Sequence, residues 1–338
     1  DVNLAMHIVR LLLFPFSLIY GSILFLRNKL FDWGIFPSEK GALPTLLIGN
    51  LNTGGTGKTP HTIHLAKALD SLNPAILSRG YGRKSKGYFL LEDDMDPEIS
   101  GDEPQLYLEA GMKTVAVCED RLLGIAELKK SGHIGIVILD DALQHRSLKP
   151  DYCILMVPGK RPYYKDFYLP SGDLRDHKIS ARRADAVIIS EAPDHLDLVS
   201  FRRKLSLKDH QLLFKSKVIY FEPEAWGHQS NFDKNRPVVL LTAIAKAHRP
   251  ANYLDENFEL KKHFQYRDHY RFSQTDVQTW TNYLNAHPGA QLVTTAKDAI
   301  RLKPFQKELQ TLSIFILPIG VEIENEAELI NHLKKHFK

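Results

Sequence analysis

Hydrophobic and polar positions alternate between two periods along this chain, and the changes of period mark its elements. Short apolar runs at residues 46–48, 74–77, 134–139, 152–157 and 186–190 predict strands, with 134–139 (IGIVIL) nearly continuous, as in a strand buried on both faces of a parallel sheet. Residues 113–118 add another strand. Between them Ile63, Ala66, Leu69 and Leu72 recur at helical spacing, as do Leu106, Leu108 and Met112. Glu119-Asp120-Arg121 opens a further helix. Strands alternating with helices predict a doubly wound α/β domain.

A second, smaller α/β pattern follows: a strand at 238–241, a helix near 251–256, and a strand at 292–295. Ser273, with Asp276 three residues on, caps a helix whose apolar face is Val277, Trp280 and Leu284. The last helix, 324–337, places acidic residues first and lysines last, matching its dipole. The polar stretch 222–236 reads as a linker. The organisation expected is an N-terminal helix (1–36), a nucleotide-binding core (37–217), a linker (218–236) and a C-terminal α/β domain (237–338). No internal repeat or low-complexity tract interrupts it.

The N-terminal segment departs from the pattern of a globular domain. Residues 11–26 carry no charge, with Arg10 before them and Arg27 and Lys29 after. Sixteen residues fall short of the roughly 20 needed to span a bilayer, and Pro15 disfavours an unbroken helix. No small-residue cleavage site follows, which argues against a secretory signal. A buried core helix is one reading. Tyr20, Phe31, Trp33, Arg27 and Lys29 at the flanks favour a monotopic anchor in the membrane interface.

The chemistry centres on residues 48–60, IGNLNTGGTGKTP. An apolar strand leads into a glycine-rich turn, and Gly57-Lys58-Thr59 begins a helical segment with Pro60 in its first turn. That context makes a phosphate-binding loop credible. Thr53, Gly54, Gly55, Thr56 and Gly57 would turn backbone N–H groups toward phosphates. Lys58 would reach the β- and γ-phosphates of ATP, and the Thr59 hydroxyl would hold Mg²⁺. Asn52 stands where such loops usually begin with glycine. The strand at 134–139 ends in Asp140-Asp141, the carboxylates at a strand tip that a P-loop site requires for its metal.

Other stretches leave two readings open. Arg79 and Tyr81 lie between glycines after a strand, where α/β sheets collect ligand groups, although an ordinary surface loop would look the same. In GDEP (101–104), Asp102 reads equally as an N-cap with Glu103 in the first turn, or as base and metal ligand beside the phosphate site. Lys160, Arg161, Lys165, Arg175, Lys178 and Arg182 are a solvated face or a receiver for an anionic substrate. Asp268-His269 would be an acid/base unit only if the two domains close on each other.

Composition narrows the class. The 338 residues, 43% of them hydrophobic, suffice for two cored domains. A net charge of +4 does not argue for nucleic acid; it suits an anionic substrate or a membrane surface. Two lone cysteines, Cys118 and Cys153, fit a reducing compartment without disulfides or a zinc site.

Taken together, LLLFPFSLIYGSILFLRN, IGNLNTGGTGKTP, SRGYG, GDEP, EDR, ILDDALQHR, LPSGDLRD, DHYRF and TTAKDAIRL resemble the tetraacyldisaccharide 4′-kinases, the lipid A 4′-kinases of Gram-negative bacteria. The match runs nearly end to end, and in that family Asn52 is the normal residue. The resemblance implies a P-loop kinase transferring the γ-phosphate of ATP, with Mg²⁺, to the 4′-hydroxyl of an acylated glucosamine disaccharide 1-phosphate. It implies a monomer at the cytoplasmic face of the inner membrane, held by the N-terminal helix. Carried over motif by motif, Lys58 and Thr59 bind phosphate and Mg²⁺, and Glu103, Asp140 and Asp141 serve the metal. Asp102 is the base with His269 as partner, Arg121 and Arg175 contact phosphate groups, and Tyr81 lies at the site edge. Two positions depart from the family: LRE is Leu174-Arg175-Asp176, and TTEKD carries Ala296.

Rival classes fit less well. A deviant-P-loop switch ATPase of the partitioning type would carry a signature lysine where Thr53 stands. A GTPase would carry Asn-Lys-x-Asp, for which Ala296-Lys297-Asp298 is no substitute. A non-enzymatic membrane adaptor would not need the paired carboxylates.

Overall fold

The computed structural model describes residues 9–92, 95–227 and 231–338. The chain enters through a helix, α1 (Phe14–Asp32), with helical turns from residue 9. It then lays down β1 (Thr45–Asn50), α2 (Lys58–Ala68), β2 (Pro74–Ser78), β3 (Phe89–Leu90), α3 (Asp102–Glu109), β4 (Val115–Val117), α4 (Arg121–Lys130) and β5 (Ile136–Asp140). Strands β6 (Tyr152–Pro158), β7 (Ala186–Ser190) and β8 (Leu212–Tyr220) complete the outward path. A second sheet follows: β9 (Glu224–Ala225), β10 (Val238–Thr242), α5 (His248–Asn257), β11 (Leu260–Gln265), α6 (Gln274–Ala286), β12 (Gln291–Thr295), α7 (Ala296–Leu302) and β13 (Ile314–Leu317). The chain returns through β14 (Ile319–Ile323) and α8 (Glu326–His336).

The larger sheet runs β14-β8-β7-β6-β1-β5-β2-β4-β3. Its interior pairs are parallel, and an antiparallel strand closes each edge. The smaller sheet runs β9-β13-β12-β10-β11, parallel except for β9. This is the mixed α/β fold with parallel sheets that the alternation of apolar runs anticipates. The two-residue repeat of a strand divides the core into two layers. Leu47 and Leu139 pack with Ile125 and Leu128 of α4 on one face. Leu46, Ile48 and Ile138 pack with Leu65 and Leu69 on the other, where Leu329, Ile330 and Leu333 of α8 join them.

The expected boundaries need two corrections. Residues 218–220 belong to β8 and Glu224–Ala225 pair with β13, so the polar stretch is tied down by ladder hydrogen bonds rather than running free. Residues 319–336, placed by the sequence in the C-terminal domain, lie on the first sheet. Strand β14 pairs with β8 over Ser216–Tyr220, and His64 Nε2 meets Glu326 Oε1 at 2.7 Å. The apolar face of the last helix, Leu329, Ile330 and Leu333, is buried beside α2 on the first sheet.

Helix α1 inverts the usual arrangement of an amphipathic helix. Its buried stripe is Ser17, Gly21, Leu24 and Asn28, a helical row of mostly small or polar residues. A Cβ at Gly21 would lie 2.5 Å from the Tyr168 ring. Asn28 Nδ2 donates to Asp176 Oδ1 at 2.9 Å, and Ser17 Oγ accepts from the Ser171 N–H at 3.0 Å. The opposite face exposes Leu12, Phe16, Ile19, Ile23 and Leu26, each more than half accessible. Among the described residues no helix is long and apolar enough to cross a membrane.

Candidate active site

The parallel strands of the first sheet end at one edge, where open α/β sheets bind ligands. Strand β1 ends at Asn50, and residues 51–57 turn the chain into α2. Gly57, at the N-cap of α2, has φ +83°, in the left-handed region that side chains other than glycine avoid. No side chain caps the first turn of α2, which leaves its N–H groups free for an anion. Behind the loop, the buried His61 bonds through Nδ1 to the Gly57 carbonyl at 2.6 Å and through Nε2 to Ser216 Oγ at 2.7 Å. Burial lowers its pKa to about 4, so the ring is neutral and Nδ1 is its donor.

Lys58 folds back over the loop. Its Nζ donates to Asn50 Oδ1 at 3.1 Å and stands 3.6 Å from Asp141 Oδ1. Arg175 donates to the same Asn50 oxygen at 2.5 Å and also to Asp141. Burial opposes charge on Asp141, but Lys58 and Arg175 outweigh it and hold its carboxyl below the ordinary range. The 166–176 segment forms one wall. The Thr53 N–H donates to the Asp173 carbonyl at 2.6 Å, the Arg175 N–H to the Leu51 carbonyl at 2.9 Å, and Asn52 Nδ2 to Asp166 Oδ2 at 2.8 Å. Asn52 is buried, and this bond is its structural reason for standing where most loops place glycine.

Asp140, at the tip of β5, is buried. Its Oδ1 and the Tyr107 hydroxyl have no partner at hydrogen-bond geometry. Burial first, then the charges of Glu103 and Asp141, raise the Asp140 pKa to about 7. Tyr107 stands close enough to Asp140, Glu103 and Thr59 for all three to affect its ionisation. Glu103 and Asp141 are close enough to Asp140 to raise its pKa, and Thr59 lies within electrostatic reach of the Tyr107 hydroxyl. Among the described residues, no three His, Cys, Asp or Glu side chains close on a single point.

Gly101 is the N-cap of α3, with φ +88° and its Cα packed beneath the 80–81 backbone, so that a Cβ would lie 3.2 Å from the Tyr81 carbonyl. Asp102 is therefore the first helical residue, not the cap. Its side chain is free to reach outward, and it meets the second sheet. Arg301 donates to Asp102 Oδ2 through Nε at 2.7 Å and lies 2.6 Å from it through Nη2. His269 Nδ1 is 3.9 Å from the same oxygen, and Lys297 Nζ is 3.6 Å from Glu103 Oε1. His269 takes a left-handed φ of +59°, and its N–H donates to the Ala243 carbonyl at 3.2 Å. Burial and Lys297 lower its pKa, with Asp268 opposing. The start of α3 and the 268–269 turn thus face each other across the two sheets.

The two other expected contact residues, Arg121 and Tyr81, lie in different settings. Arg121 is buried and donates to the carbonyls of Cys118 at 2.5 Å and Asp140 at 3.5 Å. At the N-terminus of α4 its side chain turns inward and braces the backbone of Asp140. Burial lowers its pKa to about 10. Tyr81 is exposed, its ring 6.1 Å from that of His269, at the site edge as expected. Sequence reasoning missed Asn50, Arg301 and Lys297. Asn50 was signalled only by a polar residue closing an apolar strand, whereas Arg301 and Lys297 lie in the TTAKDAIRL motif, about 200 residues from their partners.

Comparison with known proteins agrees with this geometry. The tetraacyldisaccharide-1-P 4′-kinase family matches residues 9–338. The tetraacyldisaccharide 4′-kinase of Cytophaga hutchinsonii is 36% identical, over 96% of this chain and 95% of its own. That of Flavobacterium johnsoniae is 36% identical over 97% and 95%. The crystal structure of LpxK from Aquifex aeolicus, in complex with ATP, superposes with a TM-score of 0.80 at 29% identity, covering 98% of this chain and all of that one.

Proposed function

This chain belongs to the tetraacyldisaccharide-1-phosphate 4′-kinase family, and we propose that it transfers the γ-phosphate of ATP to the 4′-hydroxyl of a tetraacylated glucosamine disaccharide 1-phosphate. The observation that carries the reading is the pairing of Lys58 with Asp141 at the mouth of the glycine-rich loop, beside the buried Asp140. Phosphoryl transfer needs positioning and charge stabilisation more than covalent chemistry. The 53–59 loop acts as a P-loop, its N–H groups and Lys58 receiving the phosphates, and Arg175 lies within reach of the same charge. Thr59, Glu103, Asp140 and Asp141 fit Mg²⁺, which would neutralise charge on the transferring phosphoryl group when bound. Asp102, with His269 beside it, accepts the proton of the attacking hydroxyl. A base of this kind contributes about 10²–10⁴-fold.

The acyl chains of such a substrate stay in a bilayer, so the enzyme works at the membrane surface. Helix α1 supports this, since its large apolar side chains point away from the fold and its small ones toward it. The setting expected is the cytoplasmic face of the inner membrane, with the protein lying in the interface. A monomer is the state expected for it.

The test is label transfer from γ-labelled ATP to tetraacyl disaccharide 1-phosphate in mixed micelles, comparing the intact protein with Asp102→Ala. Labelled lipid, falling at least about 100-fold in the variant, is the expected result. Equal labelling would remove Asp102 as base, and acceptor-independent ATP hydrolysis without labelled lipid would overturn the kinase reading.

A further inference from the structure

The cleft between the two sheets is lined by charges of opposite sign, and at its centre is one arginine that the proposed chemistry has not used. Helix α3 presents Asp102, Glu103 and Glu109; the segment carrying α7 presents Lys297, Arg301 and Lys303, each paired with its counterpart. The outer pairs are partly exposed, and such pairs contribute little. Arg301 differs, with a side chain only 7% exposed and four hydrogen bonds of defined geometry.

Arg301 is held from its own side before it touches Asp102. Its Nη1 donates to the Ala243 carbonyl at 2.9 Å and to Asp298 Oδ1 at 3.2 Å. Asp298 is fully buried and fixed in turn, accepting from the Thr295 hydroxyl at 2.7 Å and the Ala243 N–H at 3.1 Å. The guanidinium is therefore oriented by the C-terminal ends of β10 and β12 before it reaches across the cleft. Both of its donors toward α3 fall on one carboxylate oxygen, Oδ2, and Nη2 also meets His269 Nδ1 at 3.3 Å, itself 3.9 Å from that oxygen. Asp102 Oδ1 receives none of these contacts.

We infer that Arg301 is a positioning residue for phosphoryl transfer: it clamps Asp102 through Oδ2 so that Oδ1 faces the acceptor hydroxyl and takes its proton. The inference rests on Asp102 serving as the base. It adds which oxygen acts, and it assigns the orientation of that oxygen to a residue of the second sheet. The O–H bond of the acceptor breaks as its oxygen bonds to phosphorus, the proton goes to Asp102 Oδ1, and ADP leaves with the electron pair of the broken P–O bond. A planar five-donor fork suits this role better than an ammonium, because two donors on one oxygen fix the rotation of the carboxylate as well as its distance. Aiming the base from the second sheet also ties its alignment to the seating of the two sheets on each other.

The experiment is a double-variant cycle on the full chain in mixed micelles, with Arg301→Met, Arg301→Lys, Asp102→Asn and the Arg301→Met/Asp102→Asn pair. Arg301→Met is expected to lower kcat about 10–100-fold, the range that misplacing a catalytic group by an ångström produces, with KM for ATP unchanged. Arg301→Lys should recover part of the loss. The pair should be no slower than Asp102→Asn alone, since a residue acting only through Asp102 has nothing left to position. Losses that multiply in the pair would overturn the inference and leave Arg301 a structural residue. A rise in kcat for Arg301→Met would also overturn it, by showing that the arginine masks the base. Full activity in Asp102→Asn would instead remove the base reading on which the inference stands.

Discussion

Asp141 Oδ1 lies 3.6 Å from Lys58 Nζ and also accepts from Arg175, so one carboxylate oxygen holds both cations of the phosphate site. In the proposed reaction, nucleotide phosphates draw those cations away from Asp141. Lys58→Met is expected to lower kcat/KM by about 10²–10³-fold, the scale of removing one preorganised charge-stabilising donor. The melting temperature should change little, because Arg175 still satisfies Asp141. Steady-state kinetics with thermal melts of the same variant check both halves.

Asp140 places function and stability in opposition. Its folded pKa is raised to about 7 against 3.8 unfolded, through burial and the neighbouring Glu103 and Asp141. A raised carboxylate favours the fold at low pH, and that stability is lost as pH climbs through the folded pKa. Asp140→Asn is therefore expected to raise the melting temperature of the nucleotide-free protein by several degrees at pH 8, and by less than half as much at pH 5, while eliminating kinase activity. Melting curves at the two pH values decide it; equal effects would show that charge is not the cause.

His61 gives the opposite pH dependence. Burial holds its pKa near 4, and the unfolded value is 6.5. Between these, the unfolded chain binds a proton that the native ring cannot, so stability falls as pH drops through the window. The ceiling is ~3 kcal/mol. Denaturant titrations of wild type and His61→Gln should show the wild-type advantage shrinking from pH 7 to pH 4.5.

Asp176 anchors α1 to the phosphate wall. It accepts from Asn28 Nδ2, Ser180 Oγ and Arg183 Nη2 at 2.9–3.0 Å and follows Arg175 directly. Asp176→Ala would leave the half-buried Arg183 and the buried Asn28 without this partner, at a cost of about 3–5 kcal/mol. Urea unfolding should show that loss, accompanied by protease sensitivity in α1. At this position the shorter aspartate reaches all three partners, so departure from the family's glutamate does not break the network.

The exposed face of α1 tests the membrane reading. Replacing Leu12, Phe16, Ile19 and Ile23 with serine removes four large apolar side chains from the outward face. Each is worth about 1.5–3 kcal/mol when fully buried, so vesicle affinity should fall at least 100-fold in sedimentation assays. KM for micellar lipid should rise while KM for ATP stays constant. Undiminished vesicle binding would show that α1 is not the anchor.

The loop, the paired aspartates and the alternation of β and α were legible because each is local. A strand-turn-helix with Gly57-Lys58-Thr59 depends on neighbours within a dozen residues, and near-continuous apolar runs report burial on both faces of a sheet wherever they occur. The capping box at Ser273 and Asp276 was legible for the same reason. Arg121 shows where this stops: a basic residue opening a helix looks the same whether it points to solvent or turns under a strand.

The sequence by itself determined that a glycine-rich turn joins a strand to a helix, which carboxylates stood at a strand tip, and that α1 was too apolar for an ordinary surface helix. Only the tertiary structure decided that β14 and α8 return to the first sheet, that Asn50 shares one oxygen between Lys58 and Arg175, and that Arg301 holds Asp102. Those contacts join residues up to about 260 positions apart. No local periodicity encodes such pairings, because they are fixed by which surfaces remain uncovered after the sheets have formed.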